Sequence, residues 1–211
     1  LLVNDADDID FESGPLRNIT VLASDGEYAS TASIVIYLSD VDDAPVLSLP
    51  ASQNINEDTD LILSSVNASL ISIADADAQY TTTMWMQLEV QNGTLTLPDT
   101  TGLSFLSDNG SSSLIFTGYL TAMNEAIDGL VYRGSENYYG LDTLAIEVSD
   151  QSDAASGDPG NVTGQVAITI NSVIENPSFA VPGPIVLLQD SGQKLVQFTI
   201  TVDSTIASDQ I

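Results

Sequence analysis

Asp40-Val41-Asp42-Asp43-Ala44-Pro45 follows one apolar run, Ser33-Ile-Val-Ile-Tyr-Leu38, and precedes another, Val46-Leu-Ser-Leu49. Three carboxylates in four residues, closed by a proline, make a poor helix start and a poor strand. Proline fixes its own φ and biases Ala44 towards an extended conformation, so the segment reads as a short, straight connector. Carboxylates held this close repel one another unless a cation sits among them. Ca²⁺, a hard ion that collects roughly six to eight oxygen ligands, suits such a group; a solvated acidic linker is the plainer alternative. The rest of the chain decides between them.

Of 211 residues, three are basic (Arg17, Arg133 and Lys194) and thirty acidic, for a net charge of −27. Such a surface repels nucleic acid and anionic membranes, which excludes both as primary partners, and it attracts divalent cations. Cysteine and histidine are absent. That removes thiol chemistry, Ser-His-Asp and Cys-His triads, and ordinary zinc or copper sites. Carboxylate pairs of the glycosidase kind remain available. Here each clustered carboxylate has another reading, as metal ligand or turn residue, so no enzyme is expected. No run approaches the roughly eighteen apolar residues of a membrane span, so no direct membrane insertion is expected of this segment. Five Asn-x-Ser/Thr sequons, at Asn18, Asn67, Asn92, Asn109 and Asn161, lean towards a secreted glycoprotein.

Apolar residues alternate with Ser, Thr, Asn and Asp over four to eight residues throughout, punctuated by Gly, Asp and Asn. That period of two predicts an all-β fold. The clear runs are 19–23, 34–38, 61–63, 70–74, 84–90, 94–97, 114–117, 143–148, 166–170 and 196–202. One stretch reads as a two-turn helix: Leu120, Met123 and Ile127 share a face, Thr121 is placed to cap the start and Gly129 to end it.

An internal repeat organises the chain. Residues Ile34 to Pro45 align with Val166 to Pro177, proline on proline, and Val21-Leu-Ala-Ser-Asp-Gly26 aligns with Ile146-Glu-Val-Ser-Asp-Gln151. The repeat length is 132 residues. The expected division is 1–43 as the C-terminal part of one domain, 44–175 as a complete domain, and 176–211 as the opening strands of a third. A chain reading this way is expected to be a piece of something longer.

Ile9-Asp10-Phe11-Glu12, then Ile19-Thr-Val-Leu-Ala-Ser-Asp25-Gly, then Asp40 to Pro45, resembles the second half of a cadherin repeat. The middle region resembles the larger cadherin-like tandem repeats of giant surface adhesins. Its matching pieces are Ile55-Asn-Glu57-Asp58-Thr59, Ile73-Ala-Asp75-Ala-Asp77, Asn92 to Leu97, Leu114 to Gly118, Leu130-Val-Tyr132 and Gly140 to Asp150. The resemblance implies tandem Greek-key β-sandwiches, immunoglobulin-like in build and arranged end to end. It also implies a calcium site at the first junction. Asp10 and Glu12 would come from the first domain, Asp40, Asp42 and Asp43 from the linker, and Asp75 and Asp77 from the second domain. In extended chain, residues i and i+2 point the same way, so each Asp-x-Glu or Asp-x-Asp pair would aim at the joint together. Asp25 is a weaker candidate, better read as a turn residue bonding backbone amides.

The chain departs from the family pattern where Asp42 stands for Asn and Ala44 replaces a side-chain ligand, which implies fewer ions or weaker binding. At the second junction Asn171, Glu175 and Asn176 replace the acidic triplet. Glu57, Asp58 and Asp142 are candidates to line an alternative site there. The functional expectation is a calcium-rigidified segment of a long extracellular fibre or adhesin at the cell surface, partnered by neighbouring repeats of its own chain. Two alternatives stay open. One is a module binding glycans or another surface protein, through aromatics among Tyr80, Trp85, Tyr119, Tyr132, Tyr138 and Tyr139; of these, Trp85 and Tyr132 read as core and one of Tyr138 and Tyr139 as exposed. The other is a self-polymerising filament subunit that pairs through apolar edge strands such as 196–202.

Overall fold

The computed structural model describes residues 10–78, 83–150, 160–174, 178–180 and 199–201. The chain is all-β with one short helix. A hairpin comes first: β1 (Leu16–Ser24) and β2 (Ala29–Tyr37) pair antiparallel. Residues 38–45 then run without helix or strand.

Beyond Pro45 stands a β-sandwich. One sheet has six strands in the order β4 (Gln53–Asn56), β13 (Asn161–Asn171), β12 (Gly140–Ser149), β7 (Thr83–Glu89), β10 (Ser113–Tyr119) and β9 (Leu103–Phe105). Facing it, β11 (Leu130–Gly134) lies between β5 (Asp60–Leu63) and β8 (Gly93–Thr96), and β3 (Val46–Ser48) pairs with β6 (Ser72–Ala74). The chain passes repeatedly from one sheet to the other, and β4 runs parallel to β13. This is a Greek-key arrangement.

The period of two decides which residues enter the core. In β7, Met84, Met86 and Leu88 are buried while Trp85 and Gln87 are only half-buried. They meet Leu114 and Phe116, Leu144, Ile146 and Val148, and Val166, Ile168 and Ile170 from the same sheet. Leu61, Leu63, Leu95, Leu130 and Tyr132 come from the opposite side. Each such side chain contributes roughly 1.5–3 kcal/mol on burial. Trp85, expected in the core, has the wrong parity for it: it pairs with Thr117 and Ser149 on the outer face of the sheet.

The helix α1 (Leu120–Ile127) carries Met123, Ala126 and Ile127 into the core. Its start differs from expectation. Thr121 lies inside the helix, and the N-cap is Tyr119 in extended conformation with no side-chain cap. Gly129, at φ 121°, follows the C-cap Asp128 and donates its N–H to the Leu63 carbonyl at 2.9 Å.

The two aligned stretches have a geometric counterpart, although they are offset by different lengths, 125 residues for Val21 and Ile146 and 132 for Ala32 and Gly164. Val21 pairs with Ala32 in the first hairpin, and the residues aligned to them, Ile146 and Gly164, pair in the β12–β13 hairpin. Both ladders close with the same bond at the tip, from the amide of Asp25 to the Tyr28 carbonyl and from Asp150 to Gly160, each 3.2 Å. Strand β14 (Ser178–Ala180) pairs antiparallel with β15 (Thr199–Thr201), and it begins after Pro177 as β3 begins after Pro45. Of the run expected at 196–202, residues 199–201 form β15; the rest lies outside the described residues, as do Tyr80, Glu175 and Asn176.

Candidate metal centre

Three separate pieces of chain bring carboxylates to one place. Glu12 precedes β1, Asp40 follows β2, and Asp77 follows β6; one oxygen from each lies within 4.8 Å of the others. The linker is fastened to the sandwich here, because the Asp43 N–H donates to Asp77 Oδ2 at 2.5 Å.

The local conformation differs from the extended pairs that the spacing suggested. Residues 10–13 form a turn in which Asp10 Oδ1 accepts the amides of Glu12 at 3.0 Å and Ser13 at 3.2 Å. Asp75 does the same in its own loop, its Oδ1 accepting Asp77 N–H at 2.9 Å and Ala78 N–H at 2.7 Å. Aspartate competes for nearby backbone donors in this way wherever the chain is not committed to a ladder. The first residue of each pair shapes the loop, and the second, Glu12 or Asp77, is presented to the cluster.

The electrostatics are those of like charges held together. Asp77 is raised above the ordinary carboxylate range, first by burial and then by the charges of Asp40, Asp43 and Asp42, against the pull of the Asp43 amide. Asp75 is also raised, chiefly by burial, with Asp150 and Asp77 adding and two backbone amides opposing. For Glu12 its own amide pulls downward, but desolvation, the Asp10 carboxyl and the charges of Asp77 and Asp40 leave it raised. Asp10 is lowered, by the Ser13 amide and then by the Glu12 carboxyl. Of the seven expected residues, Glu12, Asp40 and Asp77 come together, Asp42 and Asp43 act on Asp77 by charge, and Asp10 and Asp75 hold the loops that carry Glu12 and Asp77.

Asp150 joins them. It is buried, and its charge reaches Asp75. In the sequence it stands only as a landmark of the repeat; its place at a Ser-Asp hairpin tip is the signal that points to it.

No described cation neutralises the cluster. Arg17 folds back on the main chain, donating to the carbonyls of Gly14, Asp10 and Leu16 and to the Ser13 hydroxyl. Arg133 pairs with Asp60 at 2.8 Å on the sandwich surface. Two carboxylate oxygens of the group, Asp42 Oδ2 and Asp75 Oδ2, are buried without a hydrogen-bond partner. An all-oxygen, carboxylate-rich donor set with orphaned buried oxygens fits a hard divalent ion, Ca²⁺ before the softer transition metals.

The weaker candidates lie elsewhere. Asp25 sits at the far tip of the first hairpin, where its Oδ1 accepts the Glu27 and Tyr28 amides at 2.9 and 2.7 Å. Asp142 is buried and filled by protein donors: the amides of Gln91, Asn92 and Thr143, and the Tyr132 hydroxyl at 2.8 Å. That set leaves it no room as a ligand at the second junction, and we correct the expectation accordingly. Asp58 accepts the Asn137 amide at 3.1 Å. Glu57 is buried beside the second junction, with Oε1 accepting the Val173 amide at 2.6 Å and Oε2 orphaned.

Among the sequons, Asn18 is exposed on β1, Asn92 is half-buried, Asn67 donates to the Ile62 carbonyl, and Asn161 donates to Glu147. Asn109 is turned onto the main chain of Leu97. Of the aromatics, Tyr132 is fully buried, Tyr138 packs against the core, and Tyr119 and Tyr139 are about half exposed.

No family model and no curated protein sequence matches the chain. Among solved structures it is similar to the EC1-2 fragment of human protocadherin-24, at 16% identity over 78% of this chain and 70% of that one, TM-score 0.40. It is similar to mouse cadherin-23 EC22-24 at 20% identity over 82% of this chain and 48% of that one, TM-score 0.32. An endo-fucoidan hydrolase of glycoside hydrolase family 107 is similar at 14% identity over 78% of this chain and 21% of that one, TM-score 0.29. The chain spans about half of the cadherin-23 fragment and a fifth of the hydrolase. At these identities and scores the likeness carries no argument about site or function, and the case rests on the geometry above.

Proposed function

We propose that this chain is a segment of a long extracellular surface protein or fibre, with its first junction held straight by calcium. The domain division 1–43, 44–175 and 176–211 is part of this reading. The observation that carries it is the meeting of Glu12, Asp40 and Asp77 within 4.8 Å, from two sides of a linker, with no described cation among them. A bound calcium ion would supply the positive charge that this group lacks. Glu12 and Asp40 hold the first hairpin and the linker, Asp77 holds the sandwich, and the orphaned oxygens of Asp42 and Asp75 complete the set. Without the ion, repulsion among these groups loosens the joint, and the Asp43–Asp77 bond is left to oppose it. Modules of this type outside cells bind calcium on the order of 10⁻⁴ to 10⁻³ M.

Small-angle scattering on the chain tests the reading. The maximum dimension should be sharply defined in millimolar calcium and should spread on adding chelator. A profile indifferent to calcium, together with no calcium heat in titration calorimetry, would overturn it.

A further inference from the structure

The edges of the smaller face of the sandwich are closed by asparagine side chains. A carboxamide carries one acceptor and an NH₂ donor in a plane, so it can bond the N–H and C=O of one residue as a neighbouring strand would. Asn124 of α1 does this to Ile73 in β6. Its Oδ1 accepts the Ile73 N–H at 2.9 Å, and its Nδ2 donates to the Ile73 carbonyl at 2.8 Å. The other side of Ile73 faces Leu47 of β3, so the groups that Asn124 takes are the outward ones.

Asn109 does the same at the end of β8. Its Oδ1 accepts the Leu97 N–H at 2.9 Å and its Nδ2 donates to the Leu97 carbonyl at 3.0 Å. This continues a ladder that the loop main chain begins at Leu95, which donates to Ser111 at 2.8 Å and accepts from Gly110 at 2.9 Å. The edge of β5 is treated similarly, its Ile62 carbonyl accepting from Asn67 at 2.9 Å. Unpaired edge groups are templates for another chain's strand, and the β6 and β8 edges are short and carry no charged side chain within the strand itself. The Ile73 edge also opens on a groove of about 670 Å³ lined by Leu70, Ser72, Leu120 and Thr121, with Glu125 and Asp128 at its border.

We propose that Asn109 and Asn124 are strand surrogates that keep the β8 and β6 edges closed to pairing with a second copy of this chain. The inference is independent of calcium. A second copy of this chain offers the same edges, so a strand that builds one sandwich is available to invade the other. Closing an edge with a side chain blocks this without adding a strand.

The test has two readouts. In the unaltered chain, hydrogen exchange at the Ile73 and Leu97 amides should be as slow as at ladder amides of the same sheet. In light scattering across a concentration series, the chain carrying both Asn109→Ala and Asn124→Ala should show a doubling of mass relative to its parent, at a concentration where the parent does not change. If that chain loses its strand signature in circular dichroism, the single variants Asn109→Leu and Asn124→Leu, close in volume but without the carboxamide, carry the same expectation, because each leaves the strand's N–H and C=O unpaired and adds no charge. Fast exchange at both amides in the parent, or folded variants that keep the parent's mass throughout, would overturn the proposal.

Discussion

The amide of Asp43 donates to the carboxylate of Asp77 at 2.5 Å, across 34 residues of sequence, and so hydrogen-bonds the linker directly to the acidic loop. A linker anchored by its own backbone to a charged group makes the position of the joint depend on the state of that charge.

Asp77→Asn should therefore separate two effects. In chelator the variant should melt at or above the parent's temperature, since one member of a repelling group is gone. In calcium it should bind roughly tenfold or more weakly, because ligand charge count sets the affinity of such sites. Titration calorimetry and a melting curve with and without chelator read both.

Calcium at a hundredfold above its dissociation constant should add about 2.7 kcal/mol of stability. For a chain of this size that is on the order of 5–10 °C in melting temperature. Differential scanning calorimetry checks it, with magnesium as the control ion.

Proton linkage gives the metal-free chain an unusual slope. Glu12, Asp75 and Asp77 are raised in the folded state above ordinary values of 4.5, 3.8 and 3.8. Their contribution to stability is thus complete below those ordinary values and is lost as pH climbs through the raised ones. Asp10, Asp25, Asp99 and Asp128 are lowered, and their contribution runs the other way, disappearing as pH falls through their depressed values. In chelator, acidification from neutrality into the upper carboxylate range should raise the melting temperature, and Asp75→Asn with Asp77→Asn should flatten that rise. In saturating calcium the slope should reverse, since protons then compete with the ion.

Tyr132→Phe removes a buried hydroxyl that donates to Asp142 Oδ2 at 2.8 Å. Burial and this bond push the tyrosine's pKa well above its ordinary value, so the group stays neutral and the bond intact. The substitution should cost about 1–3 kcal/mol, the price of leaving a buried acceptor short of a donor. Urea denaturation measures it, and calcium affinity at the first junction should be unchanged.

Gly93→Ala should be worse than its one added methyl suggests. A Cβ there would lie 2.4 Å from the Arg133 carbonyl oxygen and 2.7 Å from the Tyr132 ring, so β8 could not close on β11. A loss of about 2–3 kcal/mol or more is expected on the same denaturation assay.

The long alternating runs were legible because one face of the large sheet is buried: Met84, Met86 and Leu88 announce their strand unaided. Val46–Ser48, Gln53–Asn56 and Leu103–Phe105 are too short to show a period, and only their partners make them strands. Trp85 was misread because size and apolarity suggested the core where parity forbade it. In the acidic site the residues were legible and their roles were not. Nothing in Asp10-Phe11-Glu12 or Asp75-Ala76-Asp77 says that the first carboxylate will turn back to hold its own loop. Asp150 was missed because its membership depends on where a hairpin ends in space.

Two residues separate Asp25 from Tyr28, and nine separate Asp150 from Gly160, yet the same bond closes both hairpins and the strands beneath keep equivalent partners. The fold thus has a position at which length is nearly free, since doubling a closed loop adds only about 0.6 kcal/mol of chain entropy. That position stands beside Asp75. Peptide grafted between Asp150 and Gly160 would therefore leave the fold from a residue whose charge already reaches the acidic group.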